Sequence, residues 1–162
     1  MEANRSLIAH FLDTTPAATA RLFKRLGDGI TTATMNYNPQ SVTEAYIHQD
    51  VAVTRVDSYQ PSFPVEQTAF PGDPVYDFID EIRQGGPSIG GNDLTQLVEV
   101  RLYETAVGTG EYPATRWNVA IQIDSFGGDG GAKGKLNFTI NIKGDSTQGK
   151  FAVATGVFTV IP

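Results

Sequence analysis

His10 and His48 are the only two histidines in this 162-residue chain, and imidazole is the side chain best suited to proton transfer or metal ligation near neutral pH. Their surroundings do not develop that chemistry. No H-E-x-x-H or related spacing occurs, and the absence of cysteine removes thiolate ligands, thiol nucleophiles and disulfides together. His10 lies in an apolar stretch and His48 at a turn, so structural roles are expected for both. No G-x-S-x-G elbow supports a serine nucleophile, although a Ser–His–acid triad gathered from distant segments stays open. The segment Gly127–Lys135 (GGDGGAKGK) invites a phosphate-loop reading that its spacing refuses. A Walker loop ending at Gly134-Lys135 would need Gly at Asp129 and Ser or Thr at Leu136. A dinucleotide fingerprint starting at Gly128 would put Lys133 where its last glycine belongs. A flexible hairpin tip is expected instead. Asp77, Asp80 and Glu81 follow a capping Asp73 and read as acids on the solvent side of a helix start. Asn92-Asp93 and Asp124 with Asp129 lack the spacing of a calcium loop. Trp117, the one tryptophan, could be a sugar platform, but a partly buried core position suits it better. The expectation is a protein without catalytic residues, metal or cofactor.

The elements that would carry these residues are mostly strands. The clearest helix is about 73–84: Asp73 caps it, Pro74 opens it, and Val75, Phe78, Ile79 and Ile82 form one apolar stripe for packing on a sheet. Gly85-Gly86-Pro87 ends it. Upstream, Val42–His48 and Val51–Tyr59 read as a long hairpin around His48–Asp50, with neither face wholly apolar. Val65–Phe70 continues extended. Downstream, Leu94–Glu104 and Thr115–Phe126 read as strands. Val119, Ile121 and Ile123 alternate with Gln122 and Asp124, and Leu136, Phe138, Ile140 and Ile142 alternate with Asn137, Thr139 and Asn141. That pattern predicts an antiparallel meander with one oily and one polar face. Gly144–Gly149 reads as a turn before a last strand over Phe151–Ile161. Residues 1–19 read as an N-terminal arm in which Ser6–Leu12 is a short helix or irregular. A hairpin is expected around Gly27–Gly29, linking Ala20–Leu26 to Ile30–Tyr37. The fold class is mainly β (α+β): an antiparallel β-sandwich or partly closed barrel with one flanking helix, in a single domain over 1–162.

Charge is low and unevenly spread. Charged residues make up 19% of the chain, below the usual quarter, and net charge is −6. Residues 28–130 hold 15 acidic side chains against four arginines, whereas both flanking segments are mildly basic. No basic stripe marks a nucleic-acid binder. Surfaces of opposite sign could meet in an assembly. The opening MEANRSLIAHFLD has no long apolar core, and no stretch approaches the ~20 apolar residues of a membrane span, so a soluble protein made in the cytoplasm is expected.

The segment NYNPQSVTEAYIHQDVAVTRVDSYQPSFPVEQTAFPGDPVYDFIDEIR resembles the major tail protein, or tail tube protein, of long-tailed bacteriophages and prophages of Gram-positive bacteria. The likeness rests on Asn38-Pro39, Tyr46-Ile47 before an acidic turn, the Ser58-Tyr59-Gln60-Pro61 bend, and Gly72-Asp73-Pro74 opening a helix with Phe78-Ile79-Asp80. FKRLGDGITT upstream is also similar, so the resemblance covers about residues 23–84. His48-Gln49 departs from the Asn-Glu or Asn-Asp expected in relatives. The resemblance implies a virion protein, made in the host cytoplasm, whose hexameric rings stack into a tail tube. DNA would pass through the tube without specific binding. Tape-measure, tail-tip and tail-terminator proteins would be its partners, with no membrane involved. On that footing Glu44, Asp57, Glu99 and Asp124 are candidate lumen-facing acids. Candidate inter-subunit loops are His48, Gln49 and Asp50, and Gly127, Gly128, Asp129, Gly130 and Gly131. The alternatives are the tube of a contractile tail or a tail-completion protein, a secreted or surface carbohydrate-binding β-sandwich, and a small hydrolase with a carboxylate pair.

Overall fold

Ile8–Asp13 (IAHFLD) is apolar on both sides of its alternation, which suits a strand covered on both faces, and β1 is that strand. In the computed structural model, which describes residues 2–87, 89–91 and 93–162, β1 follows a 3-10 turn at Arg5–Leu7. It is hydrogen-bonded on one side to β2 (Phe23–Arg25) and on the other to β7 (Leu94–Arg101). The expectation of an arm over 1–19, helical or irregular at Ser6–Leu12, is therefore corrected for Ile8–Asp13. Burial drives this: Ala9, His10, Phe11, Leu12 and Asp13 are all buried, which neither an arm nor a one-sided helix could achieve.

The remaining elements are β3 (Ile30–Ala33), β4 (Pro39–Glu44), β5 (Val53–Tyr59), β6 (Ser62–Thr68), α1 (Pro74–Gln84), β8 (Glu111–Gly127), β9 (Lys135–Ala152) and β10 (Val157–Val160). The main sheet has the order β2-β1-β7-β8-β9-β6-β3, with β10 paired to β9, and every pairing is antiparallel. It curls into a half-barrel, so the partly closed barrel is the nearer of the two expected architectures. β4 and β5 form a separate two-stranded sheet, the expected long hairpin.

One face of the curled sheet carries Leu12, Phe63, Val65, Leu97, Val119, Ile121, Leu136, Phe138 and Ile140, and α1 packs there through Val75, Tyr76, Phe78, Ile79 and Ile82. Burying side chains of this size contributes about 1.5–3 kcal/mol each. Asp73 fixes where the helix starts. Its Oδ2 accepts from the Tyr76 amide at 2.9 Å and from Gln67 Nε2 on β6 at 3.0 Å, so one carboxylate caps the helix and ties it to the sheet. A smaller cluster, Ala9, Phe11, Phe23, Val98, Val100, Ala114 and Phe151, fills the opposite face at the β1–β7 end.

Three local expectations are corrected. The Gly27–Gly29 turn forms, with Ile30 N donating to Gly27 O at 3.0 Å, but its flanks do not pair with each other. β2 joins β1 and β3 joins β6, because Phe23 and Ile30 bury against different parts of the sheet. Gly144–Gly149 is not a turn: β9 runs through it, and Gly144, Asp145 and Ser146 bulge opposite Trp117. The last strand is interrupted as well. β9 turns back after Ala152 to form β10, whose backbone lies so close to Gly149 that a Cβ there would stand 2.4 Å from Thr159 O.

Candidate functional site

The β4–β5 hairpin leaves its apolar residues uncovered. All seven residues of β5 are exposed, and Tyr46, Ile47, Val51, Val53, Val56 and Tyr59 are exposed apolar residues distributed over both faces of the hairpin and its tip. An isolated two-stranded sheet is only marginally stable, and two free edges with exposed β-branched residues invite another chain. Yet the hairpin is pre-ordered. Asn38 adopts a left-handed φ of 44° at its base, and Asn38 Nδ2 donates to Gln60 O at 3.0 Å and Ser62 Oγ at 3.1 Å. Asparagine tolerates that conformation better than most residues. Farther out, Arg55 Nη1 pairs with Glu44 Oε2 at 3.0 Å, and Tyr46 Oη donates to the same oxygen at 3.1 Å. Gln49 N donates to Tyr46 O at 2.9 Å, and the Tyr46 and His48 rings stack 6.2 Å apart. Exposed apolar residues concentrated in this way are characteristic of interaction surfaces.

The second feature is the polar face of β6, β9 and β8, opposite α1. Its side chains bond across the strands. Asn141 Nδ2 donates to Gln122 Oε1 at 3.2 Å, Gln122 Nε2 to Asp124 Oδ1 at 2.6 Å, and Thr139 Oγ1 to Asp124 Oδ2 at 2.7 Å. Asn137 Nδ2 donates to Ser125 Oγ at 3.0 Å, and Lys135 forms an ion pair with Glu66. Farther along, Gln96 Nε2 donates to Asn118 Oδ1 at 3.1 Å. The result is a carpet of amides and hydroxyls whose few charges oppose one another.

The four candidate lumen acids are not brought together. Glu44 lies on β4 in the hairpin. Asp57 is the extra residue of a β-bulge, since Val56 pairs with Ser41 and Ser58 with Gln40. Asp124 is likewise a bulged residue, between the Ile123–Phe138 and Ser125–Asn137 pairs, and lies on the polar face. Glu99 lies on β7 against β1, where its Oε2 is 3.2 Å from Nε2 of the buried His10. The His10 hydrogen bond holds the Glu99 carboxyl below its ordinary pKa, against a smaller opposing effect of burial, and the charges of His10, Arg101 and Arg5 add to the lowering.

His48, Gln49 and Asp50 occupy the tip of the β4–β5 hairpin. Gly127 ends β8, and Gly128, Asp129, Gly130 and Gly131 begin the exposed β8–β9 connection. Trp117 packs half-buried against the main core, in the role expected of it rather than as an open platform. Among the described residues no three acidic or histidine side chains converge to hold a metal ion, and no helix is long and apolar enough to cross a membrane. Asn92, half of one calcium-loop pair considered, lies outside the described residues. Sequence reasoning missed a cavity of about 390 Å³ lined by Arg5, His10, Arg25, Asp28, Ile30 and Phe63, whose members are scattered along the chain.

Neither a family model nor a curated protein matches the chain in sequence. A solved structure does match in fold: a chain from the tail of an empty GTA particle, determined by helical refinement with C6 symmetry. The two superpose with a TM-score of 0.63 at 11% identity, over 90% of this chain and 98% of the other. At that identity the likeness establishes a shared fold.

Proposed function

We propose that this protein is the structural subunit of a phage-type tail tube, forming six-membered rings that stack head to tail around a channel for DNA. The observation that carries the reading is the agreement in fold, nearly end to end in both chains, with a subunit of a C6-symmetric tail. The open hairpin supports it, because a heterologous contact repeated around a closed rotation makes a ring and, with translation, a filament. In such an assembly the exposed apolar residues from Tyr46 to Tyr59 are covered by neighbouring copies.

The channel wall in this reading is the polar face of β6, β9 and β8. Duplex DNA sliding past needs a surface that is wetted but not cationic, since each cation set against phosphate adds salt-dependent affinity. Glu66 and Asp124 stand against Lys135 and Lys143 there, with Arg116 farther along β8, and the other side chains are neutral, Pro64 and Ala120 among the amides and hydroxyls. In this reading the wall carries charges of both signs rather than acids alone. The role is mechanical, with no chemical step, and its place is the tail of a virion. A carbohydrate-binding reading loses its aromatic platform with Trp117 packed on the core. Light scattering and sedimentation over a concentration series, with and without short preformed tube as seed, test the reading. Growth into long particles is expected, and protein that stays monomeric even when seeded refutes it.

A further inference from the structure

The cavity beneath the N-terminal 3-10 turn carries two guanidiniums, Arg5 and Arg25, against one lining carboxylate, Asp28, with which neither forms an ion pair. Arg5 donates to the carbonyls of Ile8 and, at 3.2 Å, Ala33; Arg25 Nη2 donates to Ser6 O at 3.0 Å. These neutral carbonyls position the guanidiniums without cancelling their charge. Among the described residues neither arginine has a carboxylate within ion-pair distance, and both are exposed. Apolar Ile8, Ile30 and Phe63 line it together with polar Asp28, Thr31 and Thr32. A guanidinium fork in partly apolar surroundings favours a carboxylate over a diffuse counter-ion.

We propose that this cavity receives the Asp50 carboxylate at the hairpin tip of a second copy of this chain. Asp50 is exposed and has no hydrogen-bonding or ionic partner among the described residues. It lies between Ile47 and Val51, both open to solvent, so an acid flanked by aliphatic side chains meets a cavity with two arginines and a partly apolar lining. The hairpin pairs only with itself, and no residue of 45–52 lines its own chain's cavity, so the occupant comes from another copy. Tip and cavity are different surfaces, so the contact is heterologous and repeats from copy to copy. The inference rests on the tube reading and adds to it the contact that would join neighbouring subunits.

The chain has no cysteine, which makes disulfide mapping clean. The double variant Asp50→Cys with Ser6→Cys, oxidised after assembly, should give a ladder of covalent multimers on a non-reducing gel, and neither single variant should. Separately, Asp50→Arg and Arg25→Asp should each lower the assembled fraction about tenfold or more, and their combination should restore most of it. Circular dichroism should show folded monomers throughout, since both positions are exposed. Wild-type tubes without a ladder in the double variant, or charge swaps that do not rescue each other, overturn this inference and leave the tube reading standing. Arg25→Asp tubes of normal length that bind DNA less well would make the cavity a phosphate site and also overturn it. Wild-type protein that never assembles, even when seeded with preformed tube, refutes the tube reading, and this inference with it.

Discussion

Replacing Ile47 and Val51 together by aspartate separates folding from assembly. Their relative exposures of 108% and 78% mean that the isolated chain has almost no burial to lose at either position. Exposed substitutions of this kind shift stability by no more than about 0.5 kcal/mol, so the urea midpoint of the monomer should hardly move. Assembly should respond very differently. Covering an aliphatic side chain of this size contributes about 1.5–3 kcal/mol, so losing both removes about 3–6 kcal/mol from each inter-subunit contact. At about 1.4 kcal/mol per tenfold, the association constant should fall roughly 10²- to 10⁴-fold, before any cost of desolvating the new carboxylates. Sedimentation velocity over a concentration series reads this directly as a rise in the concentration at which large particles appear. An unchanged onset would refute the reasoning, because the tip would then lie outside every interface. A large fall in monomer stability would refute it differently, by showing that the tip packs on its own chain.

Asp73→Ala should destabilise the monomer by about 2–3 kcal/mol in urea unfolding, losing the helix cap and leaving buried Gln67 Nε2 with one partner fewer. Asp73→Asn should cost less, since the amide oxygen can still cap. Glu99 has a folded pKa below its ordinary value of 4.5, so its contribution to stability is present above that value and is lost as pH falls through the folded pKa. Glu99→Gln should therefore flatten the acid limb of a stability–pH curve measured from pH 7 downward, and an unchanged limb would contradict the His10 contact. Gly149→Ala should release β10, because its Cβ would meet Thr159 O and the Phe158 ring; hydrogen exchange should show loss of protection at Val157–Val160. Converting Gln122 and Asn141 to lysine should make assembled tubes retain duplex DNA in low salt and release it in high salt, whereas unaltered retention would place the channel wall on another face.

The helix and the C-terminal meander were legible because each is governed by one local rule. Asp73-Pro74 marks the start of α1, its apolar stripe gives its buried side, and Leu136–Ile142 alternates with the pleat. Other features depend on partners far along the chain. Ile8–Asp13 is apolar on both faces, which a one-sided pattern reader takes for a short helix, and only burial by β2, β7 and α1 makes it a strand. Gly144–Gly149 has turn chemistry, yet Gly144 with φ 73° serves a bulge inside an 18-residue strand. The bulge at Asp124 also reverses the alternation after it. Ser125 joins the polar face, and Phe126 comes to lie under the Arg83 guanidinium, 3.9 Å from its ring centre. A bulge adds one residue without any compositional mark, so both Asp57 and Asp124 could be placed in strands but not aimed. The Arg5–His10–Arg25 cavity was invisible for a related reason: three elements bring together residues that no sequence motif links.

End-on electron microscopy of the assembled protein tests the central claim most directly. Ring-shaped views with six-fold symmetry and an open central hole, and stacked rings in side view, are the expected result. Solid filaments without a channel, rings of another symmetry, or particles that remain monomeric on preformed tube would contradict it.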